Sequence, residues 1–319
     1  MTKAFLLGAG LGTRLQPLTH RVPKPLVPFG HAPLVHHAWQ ACLALGIRDF
    51  AINTHHLPQV WKDPVRGLGC EDWQVVAERA GNGEAVELGH AQGATMRLFH
   101  EPILLETGGG LRNVRAWMGE EDVLVHNGDI FSTMPLERLV DAHQASGCTV
   151  TLALRSEGDA RHIAMKDGRV IDIRQRLGKA EGTHVFSGVY CMNAGLFDFL
   201  PAEPVVSVIP AFLRLADMGR LGCVVLDEGE WFDLGERVSY LEAHQHLPMA
   251  QAIHPTAQVA ADAVIERSWI GAGAEIGAGA VIRDSVVWPR TMVGAGAHLQ
   301  RCIVYADQVV TGHHANADL

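Results

Sequence analysis

From Ile253 onward a single aliphatic residue recurs at intervals of 6, 6 and 5, through Ile253, Val259, Ile265 and Ile270 to Val310, so that a unit of 17 residues repeats. The unit is also visible directly: Arg267-Ser268-Trp269-Ile270, Asp284-Ser285-Val286-Val287 and Arg301-Cys302-Ile303-Val304 stand in register. One inward aliphatic per six residues, separated by small residues and turn formers, is the pattern of a parallel β-helix with three faces and about three coils. A flexible linker could share the Ala/Gly-rich texture, but it has no reason to keep a period. The expected division is therefore residues 1–248 as one domain and 249–319 as the β-helix. Trp269, Trp288 and Tyr305 are expected on an exposed, partner-facing edge.

The other informative stretch is residues 3–25, KAFLLGAGLGTRLQPLTHRVPKP. A short apolar run long enough for one buried strand enters Gly8-Ala9-Gly10-Leu11-Gly12, a turn with no side chains in the way. Backbone N–H groups there can approach a phosphate closely. Arg14 adds a planar guanidinium suited to phosphoryl oxygens, and Lys24, held between Pro23 and Pro25, adds a movable point charge. The third glycine of a dinucleotide-binding G-x-G-x-x-G would fall at Thr13, and no glycine is followed by Lys and then Ser or Thr as a P-loop requires. A glycine-rich turn serving geometry alone is the remaining alternative for the glycines by themselves.

Arg14 and Lys24, with Pro17-Leu18-Thr19 between them, complete a run that resembles the signature of the sugar-1-phosphate nucleotidyltransferases (nucleotide-sugar pyrophosphorylases), G-x-G-x-R followed by P-L-T and P-K-P. The resemblance implies a Rossmann-like mixed α/β sheet domain. Gly8, Ala9, Gly10, Gly12, Thr13, Arg14 and Lys24 would contact the nucleotide, with Arg14 and Lys24 catalytic. Leu105-Glu106-Thr107-Gly108-Gly109-Gly110 is similar to the family's second glycine-rich loop, and its form is closest to the N-acetylmuramate-1-phosphate uridylyltransferase branch. Thr107, Gly108 and Gly109 would then approach the nucleoside and Glu106 the substrate, ahead of a helix starting at about Leu111. Asn127-Gly128-Asp129 ends an apolar strand where the family carries G-D. Asp129 is implied as a catalytic Mg²⁺ ligand and Asn127 as a substrate contact. Trp231-Phe232-Asp233-Leu234-Gly235 matches W-x-D-x-G, so Asp233 would complete the metal site although it lies 104 positions from Asp129. Two carboxylates sharing a site need a cation between them. The strand with Ser187-Gly188 at its middle is where the resemblance puts sugar contacts. The family's Glu-Lys-Pro element is missing before it, where Asp172 to Lys179 reads instead. The tail resembles the left-handed β-helix appended to many such enzymes, which commonly self-associate through it.

Between these motifs, apolar spacing predicts a helix from Pro33 to Gly46 and strands at Asp49–Asn53 and Trp73–Ala77. It further predicts a loop over 78–96 and a hairpin around Lys166-Asp167-Gly168-Arg169. Alternating strands and helices imply parallel pairing, with ligands at strand C-termini. No apolar run approaches the ~20 residues that span a bilayer. A formal net charge of −9 argues against nucleic acid and anionic membranes as partners. Six cysteines without zinc spacing suit a reduced, cytoplasmic protein. The reading is nucleotidyl transfer from UTP or GTP to a sugar 1-phosphate. A catalytically silent nucleotide-sugar-binding protein and a β-helix acyltransferase are the alternatives.

Overall fold

The computed structural model describes residues 1–63, 67–158 and 160–319. The chain divides into two compact units. One comprises Met1–Leu11 and Val35–Trp231, the other Gly12–Leu34 and Phe232–Leu319. Composition alone puts a boundary at 248, whereas in the structure residues 12–34 and 232–248 group with the β-helix.

The larger unit is built on an eleven-stranded mixed sheet. Its order is Ile163–Lys166, Arg169–Ile173, Leu221–Val225, Val150–Arg155, Val185–Met192, Val123–Asn127, Lys3–Leu7, Asp49–Thr54, Ala94–His100, Ala85–Ala91 and Glu71–Arg79. The strand entering the glycine turn lies between two parallel neighbours, Asp49–Thr54 and Val123–Asn127. Ala4, Phe5 and Leu6 are buried accordingly, since a central parallel strand is covered on both faces. Val185–Met192 runs antiparallel to both of its neighbours, so the expectation of parallel pairing holds for only part of the sheet. Helix Ile209–Asp217 buries Ala211, Phe212, Leu215 and Ala216 in the same apolar core as Val150, Leu152 and Tyr190.

Two local differences from the sequence reading have plain causes. Residues 78–96 are not a loop but part of an antiparallel meander of Glu71–Arg79, Ala85–Ala91 and Ala94–His100. Gln92 and Gly93 both have positive φ, 50° and 70°, which makes the tight two-residue turn that twists with its strands. The alternation is weak because the outermost strand is largely exposed. The helix expected from Leu111 begins at Glu106 and ends at Asn113, so the three glycines lie inside it. The hairpin at Asp167-Gly168 forms as expected, again with positive φ at both residues.

In the second unit, strands pair at a spacing of 17 on three faces, as in Gln258↔Glu275↔Met292, Val264↔Val281↔His298 and Trp269↔Val286↔Ile303. The final rung shortens to 15, His298↔His313. Ile270, Val287 and Val304 stack in one interior column, and Ile276, Val293 and Val310 in another. The repeated Arg/Asp-Ser/Cys corner has a structural purpose. Arg267, Asp284 and Arg301 take positive φ, and the buried Ser268 and Ser285 hydroxyls accept the N–H groups of Ser285 and Cys302 one coil on.

The three aromatics expected on an exposed edge are instead covered by their own unit. Trp269 and Trp288 are buried. The Trp269 indole donates to His244 O at 2.8 Å and the Trp288 indole to the Tyr240 hydroxyl at 3.1 Å, both on helix Arg237–His246. Tyr305 lies against Trp288 and under the Arg21 guanidinium. An indole needs both apolar cover and an acceptor, and this helix supplies both.

Candidate functional site

Gly8 follows the central strand, and its N–H donates to Asn53 Oδ1 at 2.8 Å. A Cβ at Gly8 would lie 2.6 Å from the buried Trp61 ring and 2.7 Å from Asn53 O, so only glycine fits. Ala9 is buried, Gly10 is exposed, and a Cβ at Gly10 would meet nothing within 4 Å. The turn therefore narrows at residue 8 and opens at residue 10.

Asn127 is the last residue of the neighbouring strand and Asp129 lies just past it, and Gly128 N–H donates to Leu7 O at 2.9 Å, which fixes this corner to the strand before Gly8. His126 beneath them is buried, and desolvation brings its pKa down to about 4 despite the Asp129 carboxylate, so it is neutral at ordinary pH. Gly188 has φ +81°, and a Cβ there would lie 2.3 Å from Ile130 and 2.8 Å from Asn127 Nδ2. Its glycine thus serves close packing beside Asn127. Ser187 is fully buried and its hydroxyl donates to Ala153 O at 2.8 Å, while Ser187 O accepts the Trp231 indole N–H. The hydroxyl and the carbonyl of Ser187 are thereby engaged within the unit.

The second glycine-rich segment is engaged with its own unit. Gly108 and Gly109 N–H both donate to Val206 O, at 2.8 and 3.0 Å, and Thr107 Oγ1 accepts Val208 N–H. Cβ atoms at Gly108 and Gly109 would lie 2.8 Å from Val206 O and 2.3 Å from Pro204 O. These three residues seat the helix on segment 204–208. Glu106 is the member left exposed, with φ +58°.

Sequence reasoning missed what holds both glycine segments. Glu101 is fully buried, with Oε1 accepting Asn53 Nδ2 at 2.7 Å and Oε2 accepting Leu105 N–H at 3.0 Å. Burial raises its pKa, against the pull of those hydrogen bonds and of His55. The available signal was an Asn and a Glu closing two apolar strands. In the interval lacking Glu-Lys-Pro, Asp172 accepts three backbone N–H groups, from Ile173, Leu177 and Lys179. Arg174 and Arg176 are exposed, and Lys179 pairs with Asp217 at 2.8 Å.

The second unit assembles the cationic part. Gly12, with φ +62°, precedes a short 3₁₀ turn at Thr13–Leu15 that carries Arg14. Thr19 donates to Gly12 O at 3.0 Å and closes this loop on itself. Lys24, 6% exposed, places Nζ 3.5 Å from Asp233 Oδ1, a partner 209 residues away. Arg14 places Nη1 3.3 Å from Glu236 Oε1. Gly235 fills the gap: a Cβ there would lie 2.8 Å from Arg14 Nη2 and 3.1 Å from Asp233 Oδ1. Four of the charged groups around W-x-D-x-G and G-x-R thus meet in one unit, and Glu236 is the one the motifs did not foretell. Glu236 also caps the following helix reciprocally with Ser239.

A model for the nucleotidyl transferase family matches residues 3–249, more than three quarters of the chain. The chain belongs to that family. A second family model, described as GlmU-like, C-terminal hexapeptide, matches residues 241–315. A mannose-1-phosphate guanylyltransferase of Mycobacterium tuberculosis is 28% identical over 79% of this chain and 66% of its own length. A mannose-1-phosphate guanyltransferase of Debaryomyces hansenii is 25% identical over 75% of this chain and 62% of its own. The chain thus spans slightly less than two thirds of the length of these curated relatives. A UDP-glucose pyrophosphorylase structure from Acinetobacter baumannii superposes with a TM-score of 0.59 at 17% identity, covering 80% of this chain and 95% of that one, which establishes the shared fold. Every motif residue named above lies inside the matched family region.

The resemblance implies Mg²⁺ held by carboxylates. Among the described residues no group of three or more His, Cys, Asp or Glu is arranged to hold an ion. Asp129 and Asp233 are hard oxygen ligands, one half-buried and the other exposed. Mg²⁺ commonly takes one or two carboxylates with the remaining positions left to water and substrate phosphates, and each of these carboxylates offers oxygen donors of that kind. Among the described residues no helix is long and apolar enough to cross a membrane.

Proposed function

We propose that the protein transfers a nucleotidyl group from a nucleoside triphosphate to a sugar 1-phosphate and releases pyrophosphate. The observation that carries this reading is the meeting of Arg14 and Lys24 with Asp233 and Glu236 beside Gly235. A buried lysine and an exposed arginine next to a carboxylate form a site for polyphosphate rather than for a neutral ligand. An oxygen of the sugar phosphate attacks the α-phosphorus in line, the bond to the β-phosphate oxygen breaks, and pyrophosphate departs with that electron pair. Arg14 pairs with Glu236 through a largely exposed ion pair, an interaction worth about 0–1 kcal/mol, so phosphate oxygens can displace it. Arg14 then neutralises charge growing on the leaving group, and Lys24 draws the phosphates together. Asp129 and Asp233 would hold Mg²⁺, which when bound supplies neutralisation at the phosphate oxygens.

The curated relatives favour GTP and mannose 1-phosphate. The Leu105–Gly110 segment favours a second reading, UTP with N-acetylmuramate 1-phosphate. Pyrophosphate release measured for four nucleoside triphosphates against a panel of sugar 1-phosphates decides between them. A catalytically silent nucleotide-sugar binder would bind members of the panel and release nothing.

A further inference from the structure

We infer that Glu101 is a positioning residue, whose carboxylate sets the Asn53 amide and thereby ties the Gly8 turn to the start of the helix at Leu105. The inference rests on the proposed nucleotidyl transfer for its kinetic consequence, but not for its geometry.

The chain of contacts is short and every link is directional. Gly8 N–H donates to Asn53 Oδ1, Asn53 Nδ2 donates to Glu101 Oε1, and Leu105 N–H donates to Glu101 Oε2. Glu101 is fully buried and Asn53 nearly so, so water cannot replace a lost partner. Both groups facing the carboxylate are donors, and an ionised carboxylate offers acceptors only. That polarity decides which way the Asn53 amide points: its nitrogen must face Glu101, which leaves its oxygen for Gly8. Gly110 completes the enclosure, since a Cβ there would lie 3.0 Å from Asn53 Nδ2 and 3.1 Å from Glu101 Oε1. His55 Nδ1 contacts Glu101 O at 2.6 Å and holds the backbone of the same residue.

A purely stabilising role would not need this direction. Glu101→Gln keeps the shape but brings an NH₂ group against a donor. The Asn53 amide can then turn over to accept from it, and Asn53 Nδ2 faces the Gly8 N–H instead. The strand end at Gly8, from which the phosphate turn departs, loses its fixed orientation. The Ser187 hydroxyl, on the strand expected to meet the sugar, bonds Ala153 O rather than a member of this chain of contacts.

The test compares wild type with Glu101→Gln at a temperature well below both melting points, varying GTP, UTP and the sugar phosphate separately. The expected result is a KM for the nucleoside triphosphate raised about tenfold or more, the scale of one lost hydrogen bond to a charged group. The sugar-phosphate KM should stay within about twofold, the pattern of lost binding rather than lost chemistry. Amide hydrogen exchange of the free protein should show faster exchange at both Gly8 and Leu105. Should Glu101→Gln fail to fold, Asn53→Ser severs the same chain at its middle link and must give the same kinetic signature. Unchanged nucleotide KM together with unchanged exchange at Gly8 overturns the inference. If wild type releases no pyrophosphate from any pair, the functional reading fails instead, and exchange at Gly8 and Leu105 alone judges the positioning role.

Discussion

Arg14 and Lys24 were readable from the sequence because they fall in one contiguous stretch whose glycines, prolines and cations each have a distinct physical purpose. Their partners were partly readable: Asp233 stands in a motif, whereas Glu236 also serves as a helix cap and carried no separate signal. Asn53 and Glu101 were silent because each is a single polar residue closing an apolar strand, and only the fold brings them into hydrogen-bond contact. Ser187 was legible as a special position, and its hydroxyl is engaged inside the sheet. At this scale the expectation concerns Arg14. Arg14→Ala should lower kcat on the order of 10²-fold, as loss of one electrostatic stabiliser does, with the melting temperature nearly unchanged because the side chain is mostly exposed. Steady-state pyrophosphate release checks it, and near-normal turnover removes Arg14 from the proposed role.

Among elements, strands with a strong apolar run were predicted closely. The strand expected at Asp49–Asn53 forms as Asp49–Thr54, and the one with Ser187-Gly188 at its middle forms as Val185–Met192. The meander before Ala94 was missed because exposed strands do not alternate cleanly and Gly-containing turns imitate a loop. The glycine-rich helix was misplaced because Gly normally opposes helix. Here tertiary packing overrides propensity, since the backbone of segment 204–208 comes too close for any side chain. That packing predicts the cost of filling the space. Gly109→Ala sets a Cβ 2.3 Å from Pro204 O and should destabilise the fold by about 1–3 kcal/mol. Denaturant unfolding should show a lower midpoint at an unchanged slope, while an unchanged midpoint would mean that segment 204–208 yields freely.

At the level of the whole molecule, the period of 17 made the β-helix legible down to its register, because each coil must place its aliphatics inward. Its extent as a compact unit was not legible. Residues 12–34 and 232–248 belong with it, through contacts such as Arg237 with Asp318 at 2.7 Å and Arg21 with Asp307 at 2.9 Å. His298 stacks on His313 with ring centroids 4.4 Å apart because the last rung brings them opposite each other. The grouping has a consequence for truncation. Removing residues 253–319 strips Trp269 and Trp288 from helix Arg237–His246, whose N-cap is Glu236. Turnover should be lost with the β-helix, as pyrophosphate release by a 1–252 chain would report, and full activity of that chain would show the coils to be dispensable.

The most direct test is pyrophosphate release by the full-length wild-type chain given GTP and mannose 1-phosphate, then UTP and N-acetylmuramate 1-phosphate, with Mg²⁺ and again with excess EDTA. Metal-dependent release with at least one pair, absent from an Asp233→Ala variant, is the predicted result. Tight binding of either pair without release above that variant would contradict nucleotidyl transfer.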